Sequence, residues 1–128
     1  MAYLGPVRRW DIFWADLEPA VGREQRGANR PVLVLSNDGF NASFNVVTIL
    51  PLTKLEGKKR DVYPFEVSLE KGTVTDEWSS IVMPQQIRTI SKLRLLDFIG
   101  RLTDDSIQTA VENRVLEHLG IEFAAEDE

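Results

Sequence analysis

Arg30 and Thr53 are the side chains of this sequence best placed for chemistry on an anion. Arg30 closes the stretch GREQRGANR (residues 22–30) and stands directly before the apolar, β-branched run PVLVLS. A buried strand would anchor its backbone while the guanidinium reaches into loop space. An anchored arginine loses less entropy when it binds a phosphate, and its planar fork matches phosphate oxygens. Thr53 ends a second apolar run, VVTILPLT, where its hydroxyl can donate to an anion. If the two strands pair in one sheet, both groups converge on one phosphate. Glu24 and Gln25 belong to the loop above them. Singly, an arginine after a loop is a salt-bridge partner and a strand-end threonine reflects β-propensity; only the set carries weight.

Other chemistries lack their residues. There is no cysteine, so disulfide frameworks and thiolate metal sites are excluded. His118 is the single histidine, near the end of a helical pattern where an imidazolium suits the helix dipole. One histidine without cysteine assembles no ordinary zinc site and no His-based nucleophilic site. The phosphate-loop and dinucleotide glycine motifs are absent. Asp11, Asp16 and Glu18 read as a solvated polar face, so no metal and no cofactor are expected.

Charge is unevenly distributed. The net charge is −5, which argues against bulk, non-specific nucleic-acid binding. Residues Arg23 to Arg60 nevertheless carry seven cations (Arg23, Arg26, Arg30, Lys54, Lys58, Lys59, Arg60) against three anions, whereas Asp104 to Glu128 carry eight anions against Arg114 alone. An acidic C-terminal segment thus hides a basic working face elsewhere, unless both are simply solvated surface. No apolar run approaches the roughly 20 residues that span a bilayer, and the expectation is a soluble cytoplasmic protein.

The elements that must position these groups are mostly short strands within one domain, residues 1–128. Expected strands are Asp11–Leu17, Pro31–Ser36, Val46–Leu52 (interrupted by Pro51), Pro64–Leu69, Ser80–Met83 with Gln86–Ile90 as one bent strand or two, and Gly100–Leu102. The period then changes: Ile107, Val111, Val115 and Leu119 recur every four residues, widened by Ala110 and Leu116. Thr103 is the expected N-cap and Gly120 the C-terminal stop, with EFAAEDE as a frayed tail. The fold class is mainly β with a C-terminal helix, a small, strongly bent antiparallel sheet or barrel. Its two long connections, Glu18–Arg30 and Thr53–Val62, are the cation-rich ones.

Six blocks in order resemble the MazF/PemK toxins of bacterial type II toxin–antitoxin systems. They are DIFWADLEPAVGREQ, RPVLVLSND, ILPLT, PFEV, QQIRTI and GRLTDDSIQTAVENRVLEHLGI. The resemblance implies a small SH3-like barrel with a C-terminal helix, a homodimer, and a metal-independent endoribonuclease that cuts single-stranded RNA and is blocked by a cognate antitoxin. Residue by residue, the family's catalytic Arg falls on Arg30 and its catalytic Thr on Thr53, while Glu24 and Gln25 match the loop's E-Q and Gln86 and Arg88 the later Q-x-R. Trp10 stands in RRWD where the family usually has Gly.

The expected reaction is in-line attack of the RNA's own 2′-hydroxyl on the adjacent phosphorus. It would leave a 2′,3′-cyclic phosphate and a 5′-hydroxyl. Arg30 and Thr53 would stabilise the charge building on the phosphoryl oxygens, and Glu24 is the candidate base. Arg23, Gln25, Arg26, Ser36, Asn37, Gln86 and Arg88 are the candidate RNA contacts. Trp14, Phe40 and Phe44 are the aromatic candidates to stack on unpaired bases. For Trp14 core packing is the favoured expectation, while Phe40 and Phe44 flank Asn41 in a loop and stay open. Two rival readings share the fold class: a non-enzymatic, CcdB-like gyrase-binding toxin, and an inactive SH3-like binding module.

Overall fold

A computed structural model of the chain describes residues 2–56 and 60–122. Lys58 and Lys59, and the tail from Phe123, lie outside the described residues. Seven strands form one bent, antiparallel sheet: β1 (Asp11–Ala15), β2 (Arg30–Val34), β3 (Val46–Lys54), β4 (Val67–Leu69), β5 (Ser80–Val82), β6 (Arg88–Ser91) and β7 (Leu95–Arg101). Their order is β4-β5-β3-β2-β1-β7, with β6 off that path on β3, so the sheet is not closed. Among the described residues, two α-helices complete the fold: α1 (Asp38–Ser43) between β2 and β3, and α2 (Asp105–Leu119) after β7.

Strict alternation along the central strands buries both faces of the sheet. Phe13 and Ala15, Val32 and Val34, and Val47 and Ile49 fill one apolar cluster. Ile12, Leu33, Leu50 and Leu52, one residue out of step, fill the other. This is what a period of two produces when both faces are covered. Helix α2 closes the second cluster through Val111 and Val115. Leu119, expected on the same stripe, is exposed. The N-cap is Asp104, whose Oδ1 accepts from the Ile107 N–H at 3.1 Å, one residue after the expected Thr103. Gly120 ends the helix at φ 70°.

Strand β3 organises the bend. Its inner edge pairs with β2, and its outer edge pairs first with β6 (Val46–Ile49) and then with β5 (Leu52–Lys54). Pro51 sits at the change of partner, where a missing N–H costs no outer ladder bond. The strand therefore continues through Pro51 instead of ending near it. Between β5 and β6 the chain makes a 3₁₀ turn at Pro84–Gln86, which separates two strands. β7 is longer than the expected Gly100–Leu102, because it pairs with β1 over Asp11–Ala15.

One sequence expectation changes at the start of the sheet. Asp11 is buried rather than solvated: its carboxylate accepts from Arg101 Nη1 at 2.9 Å and from the Arg8 N–H at 2.9 Å. Trp10 stands at φ 75°, a region that favours glycine. Its indole is buried among Ile12, Leu33, Leu102 and Val111, and the Arg9 guanidinium lies 4.8 Å from the ring centroid. Burial of so large an apolar group offsets the backbone cost, roughly 1–3 kcal/mol for a non-glycine residue held there.

Candidate active site

The β2–β3 register continues from Val32↔Pro51 to set Arg30 opposite Thr53. Arg30 Nη1 donates to Thr53 Oγ1 at 3.2 Å. The two strand ends thus bring together the pair expected to converge. Thr53 is buried, at 3% exposure, so its hydroxyl is held by the sheet. Arg30 is fixed from the loop side as well: Nε donates to the Arg26 carbonyl at 3.0 Å. The Gln25 amide, with its oxygen turned toward the guanidinium, accepts from Nη2 and Nε at 3.2 and 3.3 Å. No acidic side chain neutralises Arg30 among the described ion pairs. Partial burial lowers the guanidinium from its ordinary range, since desolvation disfavours charge. It remains cationic at neutral pH. A half-desolvated, unpaired cation is a strong electrostatic partner for a phosphate.

The loop over this pair is clamped shut at its base. Leu17 N–H donates to the Gly27 carbonyl at 2.8 Å, and Glu18 Oε2 accepts from the Gly27 N–H at 2.7 Å. Arg94 Nη1 donates to the Asp16 and Glu18 carbonyls at 3.0 and 2.5 Å. Glu18 is therefore a half-buried loop clamp and not a solvated face, which a residue-type pattern does not reveal. Gly27 has φ 137°, which favours glycine, and a Cβ there would press on Arg30 Nε at 3.3 Å.

Gln86 joins this loop to the rest of the sheet. Its Oε1 accepts from the Gln25 N–H at 3.1 Å and its Nε2 donates to the Arg23 carbonyl at 3.2 Å. Both ends of its amide thus hold the loop. The turn that carries Gln86 is held in its own right: Gln85 Nε2 donates to Glu66 Oε2 at 2.7 Å. Glu66 is buried and also accepts two bonds from Arg60, at 2.9 and 3.1 Å, and one from the Tyr63 N–H at 3.0 Å. Burial alone would raise its pKa, but the bonds from Arg60, Gln85 and Tyr63 outweigh that and lower it. Neither Gln85 nor Glu66 stood out as a supporting residue in the sequence.

Two clefts flank the pair. One, of about 340 Å³, is lined by Glu24, Gln85, Gln86, Ile87 and Arg88. Arg88 Nη1 is buried there without a hydrogen-bond partner among the described residues. Glu24 faces this cleft and makes no side-chain hydrogen bond to Arg30 or Thr53 among the described residues. The other cleft, of about 280 Å³, is lined by Trp14, Asn29, Arg30, Pro31, Lys54 and Trp78. Trp14 is half-buried in that cleft and not in the core; by strand alternation it stands on the face of β1 opposite Phe13 and Ala15. Arg23 and Arg26 are exposed on the loop, and Arg26 Nη2 donates to the Ala20 carbonyl at 3.2 Å.

Ser36 and Asn37 lie away from this pair and are bonded within the chain. Ser36 Oγ donates to Asn41 Oδ1 at 2.5 Å and accepts from the Thr48 N–H at 3.0 Å. Asn37 caps α1, its Oδ1 accepting from the Phe40 N–H at 2.8 Å. Both sit six or seven residues from Arg30, at the far end of β2, roughly 20 Å away at strand rise. Phe40 and Phe44 belong to α1 and its cap and stack on each other at 4.9 Å.

The family model described as "PemK-like, MazF-like toxin of type II toxin-antitoxin system" matches residues 8–119. The chain belongs to that family. Endoribonuclease EndoA of Bacillus subtilis (strain 168) is 37% identical over 106 residues, covering 83% of this chain and 89% of that protein. MazF from Deinococcus radiodurans has the same fold, with a TM-score of 0.76 at 24% identity over 91% of this chain and 99% of its own. So does an endoribonuclease from Mycobacterial species solved with its cognate antitoxin, with a TM-score of 0.72 at 19% identity over 94% and 100%.

Proposed function

We propose that this member of an endoribonuclease toxin family cleaves single-stranded RNA by attack of the substrate's own 2′-hydroxyl, without a metal ion. The observation that carries the reading is the Arg30–Thr53 pair, an unneutralised cation bonded to a buried hydroxyl at the ends of two paired strands. Family membership and the 37% identical endoribonuclease support the reaction class. Among the described residues no three His, Asp or Glu side chains cluster to hold a metal ion, which is compatible with chemistry run by Arg30 and Thr53.

The reaction balances without a protein nucleophile. The 2′-oxygen forms a bond to phosphorus, the bond to the 5′-oxygen breaks, and the products are a 2′,3′-cyclic phosphate and a 5′-hydroxyl. One proton leaves the 2′-hydroxyl and one reaches the departing 5′-oxygen. Arg30 stabilises the non-bridging oxygens as charge builds on them, and Thr53 holds Arg30 in line. Glu24, an exposed carboxylate on the same loop, is the candidate acceptor of the 2′-proton. Arg88, Arg23 and Arg26 supply cations for the flanking phosphates, while Gln25 and Gln86 act by holding the loop. The chain acts as a homodimer. One structural relative is solved with its cognate antitoxin, and an antitoxin of this chain's own covers the RNA face.

The test is incubation of purified protein with a long single-stranded RNA in EDTA, followed by mapping of the cuts and their end groups. Defined cuts with 5′-hydroxyl ends are expected, and none at a position whose 2′-hydroxyl is replaced by hydrogen. Cutting at the deoxy position would overturn the mechanism. Intact RNA from folded, antitoxin-free protein would overturn the activity.

A further inference from the structure

Four neighbouring strands of the sheet, or their immediate flanks, each contribute to one cleft beside the Arg30–Thr53 pair. Trp14 comes from β1, Pro31 from β2, Lys54 from β3, and Trp78 from the segment leading into β5. Register puts Trp14 opposite Pro31 and Lys54 opposite Ser80. In a flat sheet the first and fourth of these strands would stand roughly 14 Å apart. The bend brings the two indoles to 6.1 Å between centroids, tilted at 53°. Both rings are half-buried, so neither is sealed in the core. Lys54 Nζ lies 5.4 Å from the Trp78 centroid.

The lining is aromatic and cationic, with no carboxylate in it among the described residues. Arg30 is shared between this cleft and the proposed phosphate site. The volume, about 280 Å³, is below the ~300–1,000 Å³ of drug-sized pockets and suits one planar group, not a folded partner. Indole faces stack on any nucleobase, and a lysine beside them neutralises the phosphate that the base carries.

We propose that the Trp14–Trp78 cleft is a base-stacking subsite for the nucleotide adjoining the phosphate held by Arg30 and Thr53. The inference rests on the RNA-cleaving reading and adds an affinity site to it. Stacking is tolerant of sequence, because every base has a π face. The subsite therefore governs how tightly RNA is held more than which motif is cut.

The test uses Trp78, which is outside the proposed catalytic pair. Single-turnover cleavage of a long, mixed-sequence single-stranded RNA is measured against protein concentration for the wild type, Trp78→Ala and Trp78→Phe. Trp78→Ala is expected to raise the half-saturating concentration roughly 5- to 100-fold, as for loss of one stacked base, with the rate at saturation nearly unchanged. Trp78→Phe, which keeps a stacking face, restores most of the affinity and guards against misfolding. An unchanged half-saturating concentration in Trp78→Ala, or a fall in saturated rate alone, overturns the subsite. So does normal RNA affinity combined with weakened inhibition by antitoxin, which would assign the cleft to that protein. A labelled single-stranded oligodeoxyadenylate, which has no 2′-hydroxyl to react, separates the two readings. If the wild type cuts no RNA yet binds this oligonucleotide more tightly than Trp78→Ala does, the subsite stands and the cleavage reading falls. Equal binding overturns the subsite.

Discussion

The two ends of the β2–β3 ladder carry similar polar side chains and use them in opposite ways. At the Ser36 end, donors and acceptors are matched internally: Ser36, Asn41 and the Thr48 N–H bond one another, and Asn41 Nδ2 returns to the Ser36 carbonyl at 2.8 Å. Asn41 is 1% exposed and its carbonyl accepts from Lys92 Nζ, so that network is saturated. At the Arg30 end, the strand termini hold an arginine with no acid beside it among the described ion pairs, and the adjoining cleft holds an Arg88 nitrogen with no partner among the described residues. Saturated polar groups stabilise a fold; buried donors left over are a cost that a ligand can recover. The difference separates polar groups that hold the fold from polar groups left available to a ligand.

Arg30 carries the largest expected effect. Arg30→Ala should lower the single-turnover cleavage rate at saturating protein by about 10²–10³-fold or more, as for loss of a positioned transition-state donor. Thr53→Val, which keeps the shape and removes the hydroxyl, should lower it by roughly 10-fold or more. Gel-resolved cleavage measures both, and a melt checks that each variant folds. At the opposite end, Asn41→Ala should cost about 1–3 kcal/mol of stability, read by denaturant unfolding. RNA cleavage by the folded fraction should be unchanged. A rate loss there equal to that of Arg30→Ala would erase the distinction between the ends.

Glu66 extends the same contrast to pH. Its carboxyl titrates below the ordinary range because Arg60, Gln85 and Tyr63 stabilise the anion against burial. A depressed carboxyl contributes stability at pH above its unfolded value, and that contribution is lost as pH falls through the folded value. Glu66→Gln should therefore flatten the acid limb of the stability-against-pH curve, measured by thermal melts from neutral pH downward. The smallest effect belongs to the loop cations. Arg23→Ala or Arg26→Ala should reduce the salt slope of RNA binding by about 0.7 for each phosphate that is no longer neutralised. The rate at saturation should remain close to wild type.

Much of the site was legible because it lies on period-two strands. PVLVLS and VVTILPLT announce two buried strands, and antiparallel pairing then places their polar ends side by side. Helix α2 was legible from its four-residue repeat, although its cap moved one residue, since Thr103 and Asp104 are both good caps. α1 was not legible: six residues carry too little periodicity to distinguish a turn of helix from a loop. The bonds that Ser36 and Asn37 make at the strand end and at the start of α1 were not legible in the S-N-D run, since they depend on where Thr48 and Phe40 lie. Gln86, equally, holds the loop with both ends of its amide, which a residue type cannot disclose.

The strand-rich fold with its closing helix and the family follow from the chain read as a string, because local periodicity and ordered motifs are written in it. The meeting of Arg30 with Thr53 followed only on condition that their strands pair, which the sheet supplies. Tertiary structure alone decided which polar groups are spent and which are left over. Trp14, Lys54 and Trp78 are separated by up to 64 residues and meet only because the sheet bends. Glu66, Gln85 and Gln86 support the loop only through hydrogen bonds made across that bend. Hydrogen-bond satisfaction and convergence of distant side chains depend on where the backbone brings them, and no spacing along the chain encodes that.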